Sequence, residues 1–159
     1  MLPNILSSRT RILNGIKLFV IDWEILDNNR SQARCIIKGK SGIKVLKKNK
    51  INIHIVALKE DSKMCAEFCK GLKLSFSLRG AEEKTDAILK RIAGNLGISP
   101  EEIAFIGYKM TNNVFIFPDV IFKTPDYQIA TFNICDGSHP VLEAAELISS
   151  AKELSANNR

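Results

Sequence analysis

Residues 17–22, with the sequence Lys-Leu-Phe-Val-Ile-Asp, constrain the fold more than any other segment of this chain. Four consecutive apolar side chains leave no polar face, so a strand built from them is buried on both sides. Strands of that kind belong to parallel sheets that helices cover on each face. The run ends at Asp22, whose charge marks the end of the strand.

The rest of the chain alternates strand-like and helix-like segments. Further strands are predicted over residues 51–58, 74–78, 103–106 and 129–134. Helices are predicted over residues 41–50, 62–70, 81–96 and 140–149. Gly71 and Gly97 are expected to end the second and third of these helices, and residues 99–102, Ser-Pro-Glu-Glu, have the form of a capping box. The alternation predicts βαβ units and a three-layer, Rossmann-like α/β fold with a parallel sheet.

The length of the chain sets the domain organisation. A chain of 159 residues suits one domain with one core. We expect an N-terminal extension over residues 1–15, the domain over residues 16–150, and a polar, frayed tail over residues 151–159. No segment approaches the ~20 apolar residues of a membrane span. Because residues 1–14 also lack a secretory signal pattern, a cytoplasmic protein without membrane contact is expected.

A cluster of lysines and two of the cysteines are possible ligand-binding residues. The net charge is +6, and much of it comes from six lysines within residues 38–50. A solvated helix face explains such a cluster, and a small anionic ligand is the alternative. No aromatic residue is interleaved with these lysines, so nucleic acid is not indicated. Cys65 and Cys69 lack a zinc-type partner set with His54 or His139, and we interpret them as small buried apolar residues.

Open α/β sheets bind their ligands beyond the carboxyl ends of the strands. That rule selects three places in this sequence: Asp22, the turn at residues 57–59, and residues 107–109. Trp23 follows Asp22 directly and is expected at the mouth of the pocket. His54, which lies within a strand, is expected to be a packed core residue, and His139 is expected to shape the start of the last helix.

Five segments in order resemble one family. They are residues 16–24, 42–46, 83–86, 97–107 and 139–145. Their order and spacing are similar to those of the 3-deoxy-manno-octulosonate 8-phosphate phosphatases, small members of the haloacid dehalogenase superfamily without a large cap domain. A similar domain occurs at the end of some sialic-acid cytidylyltransferases. The resemblance covers residues 16–112 and 129–148, and it is specific as an ordered set rather than in any one segment.

The resemblance implies a phosphatase site built on Asp22. At this position the family has a nucleophile that attacks phosphorus and forms an aspartyl-phosphate, which water then hydrolyses. Glu24 falls where the family has an aspartate acting as general acid, and it is one methylene longer. Lys84 matches the lysine that holds the phosphate. The implied substrate is a sugar phosphate or a similar small anion.

Other positions depart from the family pattern. Ala57 replaces a hydroxyl residue that donates to phosphate, and Lys59 replaces an arginine, which loses the bidentate fork. The acids that bind Mg²⁺ in the family fall at residues 108, 109 and 112, which are Tyr108, Lys109 and Asn112. An implied Mg²⁺ site would therefore consist of Asp22, the backbone carbonyl of Glu24 and, weakly, Asn112.

The loss of these acids bears on catalysis, because a carboxylate attacking a phosphate dianion meets like-charge repulsion that Mg²⁺ normally neutralises. Lys109 is predicted to lie near the former metal position and to pair with Asp22 as an internal counter-ion. Glu60 and Asp61 are the acids that an active site would have to recruit instead.

Assembly features of the family are also reduced. The hairpin that joins its subunits corresponds to residues 25–37, which form a shorter segment here, and no glycine-arginine-rich tail follows Ser149. Residues 113–128 do not follow the family; they are interpreted as extra core or as an apolar surface for a partner.

Three hypotheses follow from these observations. The first is a degenerate, inactive phosphatase-like domain that acts by ligand binding or by assembly, as a homo-oligomer or with a sugar-nucleotide enzyme. The second is an active Mg²⁺-dependent sugar-phosphate phosphatase that uses Asp22, Glu24 and Lys84. The third is binding of an anion without chemistry, with Lys59, Lys84 and Lys109 around a phosphate pocket.

Overall fold

The computed structural model describes residues 8–26, 32–109, 112–116, 130–132 and 139–157, and the side chains of residues 10–26, 39–107, 139 and 141–157. Six strands and six α-helices occupy these ranges. The strands are β1 Leu18–Asp22, β2 Asn52–Leu58, β3 Ser75–Arg79, β4 Ile103–Lys109, β5 Asn112–Ile116 and β6 Ala130–Phe132. The helices are α1 Ser8–Asn14, α2 Trp23–Leu26, α3 Gln32–Lys48, α4 Ser62–Leu72, α5 Thr85–Leu96 and α6 Pro140–Asn157. Short 3-10 turns occur at Lys59–Asp61 and Pro100–Glu102.

The six strands form one sheet in the order β3-β2-β1-β4-β5-β6. The first four strands of that order are parallel, with β1 between β2 and β4. Phe19 in β1 is in register with Ile53 and Ala104 on its two sides. The apolar run thus forms the buried central strand, as predicted. The β5 strand pairs with β4 in antiparallel orientation, and β6 pairs with β5 in the same way. The predicted strand near residue 130 is therefore present and runs in the same direction as β1–β4, but the antiparallel β5 separates it from them.

Alternate residues of β1 supply two cores on opposite faces of the sheet. Phe19 and Ile21 belong to the larger core, which α1, α3, α4 and α6 cover. Leu18 and Val20 belong to the smaller core, where α5 packs. A strand with helices on both faces needs an unbroken apolar run, and the sequence of residues 18–21 meets that requirement. The three-layer α/β fold is confirmed.

Of the two glycines predicted to end helices, Gly97 does so and Gly71 does not. Gly97 ends α5 in the left-handed conformation at φ 65°, as predicted. Gly71 does not end α4, because the helix continues to Leu72, which packs against the larger core. The left-handed position therefore falls on Lys73, at φ 58°.

Three other helices have different bounds from the predicted ones. The α3 helix spans Gln32–Lys48, so it begins nine residues before the helix predicted over residues 41–50. The α5 helix begins at Thr85 rather than at residue 81, because residues 80–83 form a turn in which the Gly80 N–H donates to the Glu83 carboxylate. The α6 helix continues through buried Ala151 to Asn157, so its last turns occupy most of the segment predicted as a tail.

Some predictions concern segments that lie partly or wholly outside the described residues. Residues 113–116 lie in β5, and residues 117–129 lie outside the described residues, as do residues 27–31 and 133–138. The predicted partner surface over residues 113–128 stays a prediction. Within the described part of the chain, no helix is both long and apolar enough to span a bilayer.

Candidate functional site at the carboxyl edge of the sheet

Asp22 is the last residue of β1 and lies at the carboxyl edge of the parallel strands, opposite Val56 of β2. Its side chain is 13% exposed. The backbone N–H of Glu24, in the first turn of α2, donates to Asp22 Oδ1 over 3.2 Å. One oxygen of the carboxylate is therefore held by the chain turn that follows the strand.

Gly107 of β4 lies directly beside Asp22. A Cβ atom at position 107 would lie 3.3 Å from the Cβ of Asp22 and 2.5 Å from Cζ of Phe105. The second distance is shorter than any non-bonded contact that a Cβ atom makes, so a larger residue at position 107 would displace the Phe105 ring. The glycine that follows the predicted fourth strand therefore lets β4 and the Asp22 side chain pack together.

Arg79, which the sequence analysis did not single out, supplies the counter-ion of Asp22. Its Nη1 lies 3.3 Å from Asp22 Oδ2, and the two side chains are 18% and 13% exposed. Arg79 is the last residue of β3, and β2 lies between β3 and β1. The guanidinium therefore reaches across the carboxyl end of β2 to the carboxylate.

The turn that follows β3 holds Arg79 in this position. Arg79 Nη2 donates to the backbone oxygen of Glu83 over 2.7 Å. The Glu83 carboxylate accepts from Arg91 of α5, with Nη2–Oε1 at 3.0 Å and Nε–Oε2 at 3.3 Å. Arg91 also donates to the oxygen of Leu78. The hydrogen bond from Arg91 lowers the pKa of Glu83, so this carboxylate stays charged and keeps the turn closed.

Burial is the main influence on the Asp22 carboxyl, and it raises the pKa from 3.8 to about 6. The Glu24 N–H and the Arg79 guanidinium lower the pKa, while the charges of Glu24 and Asp61 raise it. The net direction is upward because desolvation outweighs the ion pair. At neutral pH Asp22 is mostly ionised and paired with Arg79, and it takes up a proton in mild acid.

The predicted binding residues lie at the same edge but differ in exposure. Glu24, Lys59 and Lys84 are exposed: Lys59 follows β2 in a 3-10 turn, and Lys84 immediately precedes α5. Ala57 does not line this edge, because it is 1% exposed and belongs to the larger core.

Two further predicted residues are described only in their backbone. Lys109 of β4 is paired in register with Asn112 of β5, which places both positions at the same end of the sheet as Asp22. Their side chains lie outside the described ones, so the predicted pairing of Lys109 with Asp22 stays a prediction.

The described residues at this edge do not fit a Mg²⁺ site. Mg²⁺ takes oxygen ligands in octahedral geometry, usually including one or two carboxylates. Among the residues that the structure describes, no three acids, histidines or cysteines are grouped so that they could hold a metal ion. Glu60 is exposed, and positions 108, 109 and 112 carry no acid. Asp22 itself accepts from Arg79 and from the Glu24 N–H.

Trp23 lies in the larger core and not at a pocket mouth, which corrects the prediction for this residue. It is 4% exposed and packs edge-on against Phe68 of α4, with the ring centroids 5.4 Å apart. Trp23 is the first residue of α2, which follows Asp22 directly and also buries Ile25 and Leu26.

His54 and the two cysteines of α4 have the predicted structural roles. His54 is buried, with Nδ1 2.8 Å from Ser75 Oγ and Nε2 2.6 Å from Ser77 Oγ. Cys65 and Cys69 are buried and reduced, with their sulfur atoms 3.9 Å apart.

His139 caps α6 and joins it to α2. The N–H of Val141 donates to His139 Nδ1 over 3.1 Å, so Nε2 carries the proton and donates to the oxygen of Ile25 over 3.1 Å. This side chain therefore connects the start of the last helix to the turn that follows Asp22.

A parallel sheet with helices on both faces and a carboxylate at the end of its central strand is the arrangement of the haloacid dehalogenase-type hydrolases. Solved structures confirm that this chain has their fold. The 3-deoxy-D-manno-octulosonate 8-phosphate phosphatase from Moraxella catarrhalis, solved with magnesium, phosphate and KDO, matches at a TM-score of 0.64 and 20% identity, over 96% of this chain and 97% of that chain.

Two further structures show the same fold. The 3-deoxy-D-manno-octulosonate 8-phosphate phosphatase from Yersinia pestis matches at a TM-score of 0.59 and 14% identity, over 93% of this chain and 89% of its own. A protein from Legionella pneumophila, described as a HAD superfamily (subfamily III A) hydrolase, matches at 0.60 and 16% identity, over 94% and 92%. No protein-family model and no curated protein sequence matches this chain.

Proposed function

We propose that this chain is a phosphatase-fold protein that does not hydrolyse phosphate esters and that binds a small phosphorylated anion at the carboxyl edge of its sheet. The observation that carries the proposal is the ion pair between Arg79 and Asp22. It supplies inside the molecule the positive charge that a metal ion supplies in a metal-dependent phosphatase.

The chemistry of Asp22 supports the first half of the proposal. A carboxylate nucleophile must approach a phosphate dianion, and a metal ion ordinarily neutralises both groups. Here each carboxylate oxygen accepts a hydrogen bond from the protein, and no other acid completes a metal site among the described residues. Glu24, the candidate general acid, is exposed and one methylene longer than the family's aspartate.

The charges around Asp22 support the second half. Because Arg79 neutralises Asp22, the carboxylate repels an incoming anion less than an unpaired one would. Lys59 and Lys84, at the ends of adjacent elements of the same edge, are exposed and available to a phosphate group. The Moraxella catarrhalis protein, with the same fold, holds phosphate and KDO, which favours a sugar phosphate as the ligand class.

Two measurements test the proposal together. Phosphate release from a panel of sugar phosphates, with Mg²⁺ and with chelator, is expected to be no greater for the wild type than for Asp22→Asn. Titration calorimetry with the same panel is expected to show binding that needs no metal. The Lys59→Gln and Lys84→Gln variants should weaken that binding, while Lys70→Gln, at the far end of α4, should not.

A second candidate, an active Mg²⁺-dependent phosphatase, has one observation in its favour. The charge of Asp61 raises the pKa of Asp22, so a second carboxylate lies close enough to affect the site. Metal-dependent release that is lost in both Asp22→Asn and Asp61→Asn would establish this candidate and overturn the proposal. Absence of both release and binding heat would also overturn it, and would favour a role in assembly.

A further inference from the structure

A second candidate site lies at the amino ends of the parallel strands, on the side of the sheet opposite to the carboxyl edge that carries Asp22. Leu18, Asn52 and Ser75, the first residues of β1, β2 and β3, line a groove of about 740 Å³. Leu18 and Asp22 are at opposite ends of β1, which separates the groove from the Asp22 site by roughly 13 Å. A volume of this size is within the range of small-molecule sites.

The floor of the groove is apolar. Ile51, Ile53 and Leu74 line it, together with Leu96 and Ile98 from the end of α5 and the segment after it. Leu96 is 47% exposed, and only two other large apolar side chains in the described part of the chain are more exposed. Leu96 therefore adds accessible apolar surface to a concavity that other apolar side chains already line, as in small-molecule pockets.

The rim of the groove is cationic. Lys47, Lys50 and Lys73 line it, and no aspartate or glutamate does. The ammonium group of Lys47 donates to the backbone oxygen of Leu72, which fixes that lysine between the ends of α3 and α4. Lysines are favoured where helices end, because the helix dipole is negative there. The dipole does not account for an apolar floor beneath them.

The backbone at two of these lysines is unusual. Lys50 and Lys73 have φ angles of 60° and 58°, and no other non-glycine residue in the described part of the chain has a positive φ. Glycine adopts this conformation without the cost of roughly 1 kcal/mol or more that a side chain incurs. Both positions nevertheless carry a lysine, and both lysines line the same groove.

We infer that this groove binds a small organic anion with an apolar body, whose carboxylate, sulfonate or phosphate group lies among Lys47, Lys50 and Lys73. The apolar body would lie on the floor against Leu96 and Ile98. The site is independent of the one proposed at Asp22, and its ligand differs, because a sugar phosphate has no apolar body.

A matched pair of fluorescent probes tests the inference. Anilinonaphthalene sulfonate has an apolar aromatic body and one negative charge, and N-phenylnaphthylamine has the same body without the charge. We expect the sulfonate to bind at one saturable site and at least about tenfold more tightly than the neutral probe, with an affinity that falls as salt is raised. Equal affinity for the two probes, or no saturable binding, would overturn the inference.

The variants Lys50→Gly and Lys73→Gly separate the charge from the fold. Glycine suits φ near 60°, so each variant should unfold at the same or a higher temperature than the wild type. Each should weaken sulfonate binding about fivefold and leave the neutral probe unaffected. Lys44→Gln, an exposed lysine of α3 outside the groove, is the matched control and should change nothing. If a glycine variant does not fold, asparagine at the same position replaces it, because asparagine tolerates this conformation.

Two further results locate the probe. Leu96→Gln, which removes an exposed apolar side chain from the floor of the groove, should weaken both probes to the same extent. Methyl NMR shifts should appear at Leu18, Leu96 and Ile98 when the sulfonate is added. Binding that survives all groove variants but is lost in Lys59→Gln or Lys84→Gln would place the probe at the Asp22 edge and contradict the inference.

Discussion

Arg79 Nη1 lies 3.3 Å from Asp22 Oδ2, and the two residues are 57 positions apart in the chain. The pair joins the end of the central strand to the end of β3 across the end of β2. Through the bond from Arg79 to the Glu83 oxygen, it also joins Asp22 to the turn that leads into α5. Asp22 therefore has a structural partner within the protein.

The stability of the protein should depend on the protonation of Asp22. Burial raises the pKa of this carboxyl from 3.8 to about 6, so the folded chain binds the proton more tightly than the unfolded chain does. Protonation of Asp22 therefore raises the free energy of unfolding as pH falls from 6 to 4, by up to about 3 kcal/mol. Above pH 7, where Asp22 is ionised in both states, this increase is absent. Asp22→Asn cannot ionise and should lose the gain.

Urea unfolding of the wild type and Asp22→Asn at several pH values between 4 and 7 measures this difference. His54, whose pKa burial lowers, acts in the opposite direction, but it is present in both proteins and cancels in the comparison. The stability of the wild type relative to the variant should rise steadily as pH falls. Parallel pH profiles for the two proteins would show that Asp22 is not the group responsible.

Removing Arg79 should leave a buried carboxylate without its counter-ion. We expect Arg79→Gln to lower the free energy of unfolding at pH 7 by about 2 kcal/mol, less than for a fully buried pair because both side chains keep some exposure. The same change should raise the pKa of Asp22 further, since the nearby positive charge is lost. Carbon NMR of the Asp22 carboxyl measures the pKa directly.

Arg79→Lys is the matched control for this prediction. It keeps the charge near Asp22, but an ammonium group lacks the fork that holds both Asp22 and the Glu83 oxygen. Its Asp22 pKa should therefore stay close to that of the wild type. An unchanged pKa in Arg79→Gln would mean that the ion pair does not form in solution.

Gly42 allows α3 and α6 to pack closely. A Cβ at this position would lie 2.7 Å from the backbone nitrogen of Leu142 and 2.8 Å from the carbonyl carbon of Val141. Backbone atoms of a packed helix cannot move aside cheaply, so Gly42→Ala should destabilise the fold by about 2–3 kcal/mol. Thermal unfolding measures the effect.

Gly71→Ala is the control for Gly42→Ala. Gly71 lies within α4, and a Cβ there would meet nothing within 4 Å. Alanine should stabilise this helix by roughly 0.5–1 kcal/mol. If both substitutions had the same effect, helix propensity rather than the α3–α6 contact would decide the outcome at Gly42.

His139 should be important for stability because both of its ring nitrogens are used. His139→Ala leaves the Val141 N–H and the Ile25 oxygen without this buried partner and should cost about 3 kcal/mol. His139→Asn can still cap α6 but is too short to reach Ile25, so it should recover part of the loss. Urea unfolding ranks the three proteins, and equal stability of the alanine and asparagine variants would contradict a capping role.

Much of the fold was predictable because the relevant signals are local. The apolar run at residues 18–21 requires burial on both faces, which only a central parallel strand provides. Gly97 ends its helix because glycine adopts a positive φ without strain. His139 caps its helix because the helix begins at the next residue. In each case the cause lies within a few residues along the chain.

The missed features depend on positions that are distant in sequence. Arg79 could have been found from the rule that selected Asp22, because it also ends a strand at the carboxyl edge, but only the order β3-β2-β1 brings it within reach of the carboxylate. Lys73, rather than Gly71, ends α4 because Leu72 has a core to pack against.

The sequence by itself determined the parallel α/β sheet, the place of Asp22 at its carboxyl edge, and the absence of acids at positions 108, 109 and 112. These depend on periodicity and residue type. Tertiary structure alone decided that Arg79 neutralises Asp22, that Ala57 and Trp23 belong to the core, and that three lysines and several apolar side chains line one groove. The physical reason is that strand order and side-chain direction decide which distant groups meet, and neither is encoded in the neighbouring residues.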